Sequence, residues 1–310
     1  MYDLVIVGAG PAGLTAAIYA KRANLNVLLL DKLSAGGQVL NTFDIENYPG
    51  FTSINGADLA IKMFEQVMHL GVEFDYKTVT GIKDLGKTKE ISTLESEDKI
   101  ITKSVIIASG TKPRKLGIKG EEELSGKSIS WCAICDGHKY DDKDVVVIGG
   151  GNSAVDESIY MSEFVKSITV VTDFDLTSDP SSAEHLRSLD NVTVHPYKKV
   201  LEFIPNEDGL LKAVKFANKD DESLVETVEA DGVFEYIGAI PQTDYAQNLG
   251  IDIQRGYVKV NEFMETGLDG VFAVGDCTIK HLRQVATAVN DGAIAGQRAF
   301  DYVKKLETEM

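Results

Sequence analysis

Two cysteines separated by two residues, Cys132-Ala133-Ile134-Cys135, are the side chains in this 310-residue sequence best suited to two-electron chemistry. A CxxC spacing lets both sulfurs approach one centre, so it serves as a redox dithiol or as half of a metal site. Only Cys277 remains, which is too few thiolates for a four-cysteine zinc site, and the five histidines show no paired ligand spacing near the motif. The dithiol reading is preferred and no metal is expected. Asp136 follows the pair directly and is suited to supplying or removing the proton of thiol exchange; an acid at a helix start would also serve as a simple cap. The proton role is favoured of the two. His138 reads as a solvated turn residue, and Cys277 as a buried packing thiol.

A dithiol needs a source of electrons and a scaffold, and two glycine-rich turns supply both expectations. Leu4 to Val7 is a buried-strand run, Gly8-Ala9-Gly10-Pro11-Ala12-Gly13 a GxGxxG turn, and Leu14 to Ala23 an Ala-rich helical stretch. A second apolar run, Val27 to Leu30, ends on Asp31, where a carboxylate accepts hydrogen bonds from a ribose diol. In this order Gly8 permits the tight turn, Gly10 lets backbone approach a pyrophosphate, and Gly13 lets the helix pack close. The pattern recurs as Val145 to Ile148, the turn Gly149-Gly150-Gly151-Asn152-Ser153-Ala154, a helix from about Ser153 to Phe164, and a strand Ser167 to Thr172.

Strand-rich segments follow each unit, Val72 to Ile107 and Val192 to Val233, with hairpin turns at Asn206 to Gly209 and Asn218 to Asp221. A late strand Gly270 to Asp276 and a helix from about Leu282 to Leu306 close the chain. These elements predict an α/β protein of two Rossmann-like, three-layer ββα dinucleotide-binding domains, the second inserted in the first. The discontinuous domain takes 1–114 and 241–310, and the inserted domain, which carries the CxxC, takes 115–240.

Composition excludes several alternatives. A net charge of -17 opposes nonspecific nucleic-acid binding, and no apolar run approaches the roughly 18 residues of a membrane span. Strand-like residues from Tyr2 are expected to leave no room for a cleavable leader, and three cysteines are too few for a secreted disulfide framework, so a cytoplasmic setting is expected.

The chain resembles the low-molecular-weight, bacterial-type thioredoxin reductases over essentially its whole length. The resemblance is carried by Gly8 to Gly13, Gly36-Gly37-Gln38, Glu46-Asn47-Tyr48-Pro49-Gly50, Ser109-Gly110-Thr111, Trp131-Cys-Ala-Ile-Cys-Asp-Gly137, and Gly275-Asp276 with Arg283-Gln284. It implies FAD as cofactor, with Asp31 at the adenosine ribose, Gln38 and Asn47 near the isoalloxazine, Asp276 at the ribityl-pyrophosphate and Gln284 close to the ring. Pro11, Ala12, Lys32, Gly37, Thr111, Gly275, Arg283 and Val285 complete the implied FAD contacts. It further implies that Cys135 faces the flavin, that Cys132 attacks the disulfide of thioredoxin, that Asp136 handles protons, and that the protein is a homodimer. If Cys132 is held against the flavin, thioredoxin reaches it only when the inserted domain swings about hinges near Lys112 to Gly117 and Gly238 to Thr243.

The departures from the family matter as much. NADPH-dependent members carry arginines after the second strand of the inserted domain, whereas Asp173-Phe174-Asp175-Leu176-Thr177-Ser178-Asp179 stands here, with no arginine until Arg187. The expected donor is reduced ferredoxin, as in the ferredoxin-dependent flavin thioredoxin reductases; NADH, through Asp173, and NADPH are the alternatives. Residues 115–240 carry 25 acidic and 12 basic side chains against 23 and 19 elsewhere, so an acidic ferredoxin should avoid the inserted domain and seek groups such as Lys21, Arg22, Lys112, Arg114 and Lys115. An alkyl hydroperoxide reductase subunit would need an N-terminal thioredoxin-like domain for which Met1-Tyr2-Asp3 is expected to leave no room. A flavin-NADP reductase would lack both cysteines, and a flavin redox sensor would use them as a signalling disulfide.

Overall fold

The computed structural model describes residues 1–41, 45 and 47–309. The chain divides into one compact unit of Met1–Asn41, Tyr48–Lys112 and Ile240–Met310 and a second of Pro113–Ala239, with Ile45 and Asn47 grouped in the second.

The first unit opens with β1 (Tyr2–Val7), α1 (Pro11–Arg22) and β2 (Val27–Asp31). Leu4 to Val7 are all buried, as expected of a strand covered on both faces, and β1 pairs in parallel with β2 from Leu4↔Val27 to Val7↔Leu30. Helix α1 begins at Pro11, three residues ahead of the sequence expectation. Proline has no N–H to lose in the first turn and its fixed φ suits a helix start.

After a short 3₁₀ turn (Gly37–Asn41) come α2 (Gly56–His69), β3 (Glu73–Tyr76), β4 (Val79–Asp84), β5 (Lys89–Thr93) and β6 (Ile100–Ile107), giving the strand order β3-β2-β1-β6-β5-β4. Asn55 Oδ1 caps α2 by accepting the Ala57 N–H at 2.9 Å.

Strand β7 (Thr111–Pro113) leads into the second unit. There α3 (Glu121–Leu124), β8 (Ile129–Ser130), α4 (Ala133–Asp136), β9 (Asp144–Ile148), α5 (Asn152–Ser162), β10 (Ser167–Thr172), α6 (Pro180–Ser188) and β11 (Val192–Pro196) follow. An antiparallel meander β12 (Lys198–Pro205), β13 (Leu211–Asn218), β14 (Val225–Glu229) precedes β15 (Gly232–Glu235), which slots between β9 and β8 in a parallel sheet ordered β11-β10-β9-β15-β8. One apolar core, with Val146, Val171, Phe203, Phe216 and Val233, lies between sheet and meander. Another, with Val145, Val147, Val155, Met161, Leu186 and Phe234, lies between sheet and helices. The unit is thus the three-layer ββα arrangement read from the sequence.

The chain returns through β16 (Ala239–Pro241), which pairs with β7, and continues as β17 (Ile253–Gln254), β18 (Tyr257–Val258), β19 (Val271–Ala273) and α7 (Val285–Thr308). Strand β19 adds in parallel to the second half of β6, Val105 to Ile107, whose first half, Ile100 to Thr102, pairs with β5. Helix α7 starts at Val285 rather than Leu282 because Gln284 and Thr287 form a reciprocal capping box. It lies close on α1: a Cβ on Gly292 would come within 2.2 Å of Ala12 O, and one on Gly296 within 2.7 Å of Ala16 O. Among the described residues no helix is long and apolar enough to cross a membrane.

Candidate active site

The two cysteines form a disulfide across the start of α4, with Cα atoms 5.3 Å apart. Cys132 is the helix N-cap, and its Sγ accepts the Cys135 N–H at 3.2 Å. Asp136 ends the helix and does not cap it: Oδ2 accepts from Ser130 Oγ at 2.6 Å, and Oδ1 pairs with Lys139 Nζ at 2.6 Å. The carboxyl is therefore held within its own segment, two hydrogen bonds from the chain that carries the sulfurs. His138 does more than fill a turn, for its ring stacks on Phe164 at 4.2 Å and meets Asp141 and the Tyr160 hydroxyl. Cys277 is fully buried, its thiol pushed up to about 11 by that burial, and its Sγ lies 3.2 Å from Val274 O.

Three acids around the dithiol segment escaped the sequence reading. Glu157 on α5 accepts the Ala133 N–H at 2.6 Å, and Tyr236, just past β15, reaches the same N–H at 2.8 Å. Glu235 and Glu121 are buried nearby. The carboxylate of Glu121 accepts Leu116 and Gly117 N–H at 2.7 and 2.6 Å, fixing that loop. Glu235 Oε2 accepts the Trp131 indole N–H at 3.0 Å, while Oε1 is buried with no hydrogen-bond partner among the described residues. Only the doubled apolar pattern around Glu235, Gly-Val-Phe-Glu-Tyr-Ile, hinted that an acid would face inward.

Burial first, and then the charge of Glu121, push the Glu235 carboxyl up to about 8. An acid whose folded pKa is raised holds its proton more tightly folded than unfolded. Its stabilising share is complete below about pH 4.5, the ordinary value, and is lost as pH rises through about 8. Raising the pH from 6 to 9 is therefore expected to lower the denaturant midpoint of the protein more than that of Glu235→Gln. The fluorescence of Trp131, the sole tryptophan, reads the transition at the spot concerned; equal drops in both proteins would refute the assignment.

In the first unit the glycine turn has the geometry of a phosphate cradle. Gly8 sits at φ 111° and a Cβ there would lie 2.3 Å from Ala108 O; a Cβ on Gly13 would lie 1.9 Å from Gly8 O. Gly10, the N-cap of α1, has φ -75° and nothing within 4 Å of where its Cβ would be, so its backbone lies open to an approaching ligand. Pro11 and Ala12 begin α1 behind it. Asp31 at the end of β2 accepts Ala9 N–H at 2.7 Å and Leu33 N–H at 2.9 Å, one on each oxygen, which ties the turn to the strand and leaves lone pairs for a diol. Gly37 packs against Gly10, and Gln38 Nε2 donates to Thr111 O at 2.9 Å.

At the start of α7, Gly275 at φ 71° donates its N–H to Asp291 Oδ2 at 2.9 Å, and Asp291, also unforeseen, pairs with Lys280. Burial raises the Asp276 carboxyl, which Lys280 and Arg283 oppose. Arg283 donates to Asp276 O at 3.3 Å, and Gln284 and Val285 start the helix. Asn47 is grouped with the second unit, apart from Gln38, and Glu46 lies outside the described residues.

A cavity of about 400 Å³ opens beside the turn, lined by Gly8, Asp31, Lys32, Lys77, Ser109 and Tyr245 among others. Ser109 Oγ and Tyr245 Oη are both buried in its wall, facing each other. With Asp31, Lys32 and Lys77 also on its wall, the cavity is chemically matched to a polar ligand.

The second turn repeats the first. Gly149 has φ 126° with a would-be Cβ 2.4 Å from Tyr236 O, and Gly151, the N-cap of α5, is as open as Gly10. What differs is the loop after β10. Thr177 N–H donates to Gly150 O at 2.7 Å and Asp179 N–H to Asn152 Oδ1 at 3.0 Å, which folds the stretch of Asp173, Asp175 and Asp179 against the turn. Arg187 is spent on an ion pair with Asp175, and Lys219 lies 3.6 Å above the Phe174 ring.

Two dinucleotide-type folds and a dithiol define a disulfide oxidoreductase, and the sequence comparison agrees: the family model for pyridine nucleotide-disulphide oxidoreductases matches residues 2–292. The chain belongs to that family, whose cofactor is FAD. Within it, the thioredoxin reductase of Bacillus subtilis is 41% identical over 99% of this chain and 96% of its own length. A Clostridium pasteurianum protein described as the 34.2 kDa protein in rubredoxin operon is 42% identical over 97% of each chain. The crystal structure of thioredoxin reductase from Streptococcus pyogenes is 40% identical and superposes with a TM-score of 0.92 over 98% of this chain and 99% of that one. The open Gly10 backbone and the polar cavity beside Asp31 are chemically compatible with that cofactor.

Proposed function

We propose that this protein is a thioredoxin-disulfide reductase that works through FAD and the Cys132/Cys135 dithiol, with reduced ferredoxin as its electron donor. The observation that carries the reading is the Cys132–Cys135 disulfide formed on α4, in a chain that also has a cradle suited to FAD. Gly8, Gly10, Pro11, Ala12, Gly13, Asp31 and Lys32 would hold the adenosine and pyrophosphate. Gly275, Asp276 and Arg283 would hold the ribityl-pyrophosphate side, and Gly37, Gln38, Asn47, Thr111, Gln284 and Val285 the ring. The discontinuous unit is thus the FAD-binding domain and the inserted unit the dithiol carrier. FAD, held there, would supply the electron pair that opens the Cys132–Cys135 disulfide.

Thiol chemistry follows from this chain's own residues. The Cys132 thiolate, held by the Cys135 N–H, attacks one sulfur of the thioredoxin disulfide, expelling the other as a thiolate. A mixed disulfide results. Cys135 as thiolate then attacks Cys132 Sγ, closes the Cys132–Cys135 bond and releases the second thioredoxin thiolate. Asp136, fixed by Ser130 and Lys139, accepts the Cys135 proton and returns it to the departing sulfur.

The donor assignment is supported by the loop after β10. A nucleotide 2'-phosphate there would meet Asp173 and Asp179, with Arg187 and Asp175 already paired with each other and Lys219 laid over Phe174. Losing even one charge-assisted hydrogen bond costs about 1.5–3 kcal/mol. A relative encoded with rubredoxin, as its description states, is in keeping with one-electron iron donors. NADH is the second reading, because the Gly149–Gly151 turn keeps the open geometry of the first and Asp173 could accept a free 2'-hydroxyl. Anaerobic mixing of the oxidised yellow protein with each donor separates them: ferredoxin is expected to bleach the flavin, then support thioredoxin turnover, whereas rapid bleaching by NADPH or NADH overturns the donor assignment.

A further inference from the structure

Segment α4 has only four residues, too few to hold its own geometry, so its place depends on what grips it. The grip is a triangle. Ala133 N–H, the amide immediately after Cys132, donates to Glu157 Oε2 at 2.6 Å and to Tyr236 Oη at 2.8 Å, and Tyr236 Oη donates to the same Glu157 oxygen at 2.5 Å. Glu157 comes from α5 and Tyr236 from the end of β15, both anchored on the core that packs Phe234 and Val155. The carboxyl is thus bonded to the backbone one residue from Cys132, while the Cys132 sulfur accepts from Cys135 N–H within the same short segment.

We propose that Glu157, with Tyr236, is a positioning residue for the dithiol, and that its negative charge beside the Cys132 backbone sets how readily the freed Cys132 thiol ionises. The inference rests on Cys132 being the attacking thiol, as argued above. Once the disulfide is reduced, a Cys132 thiolate is a second negative charge within this segment, and like charges at such range disfavour ionisation of the later one. The neighbouring charges do not cancel the carboxylate. Asp156 on the same helix adds to it, Asp136 is neutralised by Lys139, and Glu235 beside Tyr236 is held protonated by its burial below about pH 8 and adds a further negative charge above it, in the parent and the Glu157 variants alike. Burial also raises the Glu157 carboxyl, which the Tyr236 and Ala133 hydrogen bonds counter.

Glu157 thereby keeps Cys132 from being a permanent thiolate and makes its nucleophilicity responsive to pH. No covalent step is added to the exchange sequence; only the proton affinity of one sulfur changes.

The test uses the full-length, FAD-loaded Cys135→Ser protein, in which Cys132 is the one accessible thiol because Cys277 is fully buried. The rate of Cys132 alkylation by iodoacetamide is followed against pH by mass spectrometry, with and without Glu157→Gln, which keeps the acceptor for Ala133 N–H and removes the charge. The alkylation midpoint is expected to fall by about one pH unit, making alkylation roughly tenfold faster below both midpoints. Glu157→Asp, which retains the charge, should stay within a few tenths of a unit of the parent. An unchanged or raised midpoint in Glu157→Gln overturns the proposal. Should that variant fail to yield folded yellow protein, Tyr236→Phe carries the test: withdrawing the hydroxyl donor favours the protonated carboxyl, and the midpoint must again fall. Failure of the parent chain to reduce thioredoxin would instead sink the functional reading, and the alkylation profile does not depend on it.

Discussion

Cys135→Ser is expected to give a yellow protein that binds FAD normally and does not reduce thioredoxin. The serine oxygen cannot form a bond to Cys132 Sγ, so neither the resting disulfide nor its reclosure is available. Of the residues that would hold FAD, all but Asn47 lie in the other compact unit, and none lies in the segment changed. Turnover should fall by on the order of 10³-fold or more, as when a nucleophilic pair loses a member. The variant should also accumulate a covalent adduct through Cys132, visible as a thioredoxin-sized mass shift that a thiol reagent removes. Multiple-turnover reduction of thioredoxin by the variant would refute the dithiol route.

The second large effect separates two glycines three residues apart. At Gly13 a methyl group would lie 1.9 Å from Gly8 O, a backbone atom that cannot yield without moving the whole turn. Gly13→Ala should therefore give little soluble protein, or one with a melting temperature lowered by many degrees, since overpacking against fixed backbone costs about 1–3 kcal/mol or more. At Gly10 the added methyl meets nothing within 4 Å and φ is an ordinary -75°, so the fold should be unaffected. What Gly10→Ala should lose is FAD, by about tenfold or more in affinity, because the methyl stands where the pyrophosphate approaches. Thermal melts of the flavin-free proteins and flavin titrations check both; equal behaviour of the two variants would refute the cradle.

Much of the architecture was legible because it is locally encoded. Strand β10 falls on the residues read for it, and the two glycine turns stand between the strands and helices expected of them. The helix starts were less legible. Helix α1 begins early because proline is welcome at its first position, and α7 begins late because the Gln284–Thr287 box stops the helix from extending to Leu282. Both are decided by backbone hydrogen bonds rather than by apolar periodicity. The acids that surround the dithiol were not legible. Glu157 sits in a stretch whose pattern resembles any solvated helix, Glu235 was hinted at only by the apolar residues around it, and their partners are 24 and 104 residues away in sequence.

Residue spacing by itself determined the chemical outline of this protein: a vicinal thiol pair, two glycine turns between strand and helix, and an acid closing β2, since each depends on neighbours within a few dozen residues. Only the tertiary structure decided that β19 joins β6 across more than 160 positions, that Asp31 grips the glycine turn, and that Glu157 and Tyr236 hold the segment between the sulfurs. The physical reason is that a buried polar group or sheet edge must find a partner, and which partner it finds is a property of the packed chain.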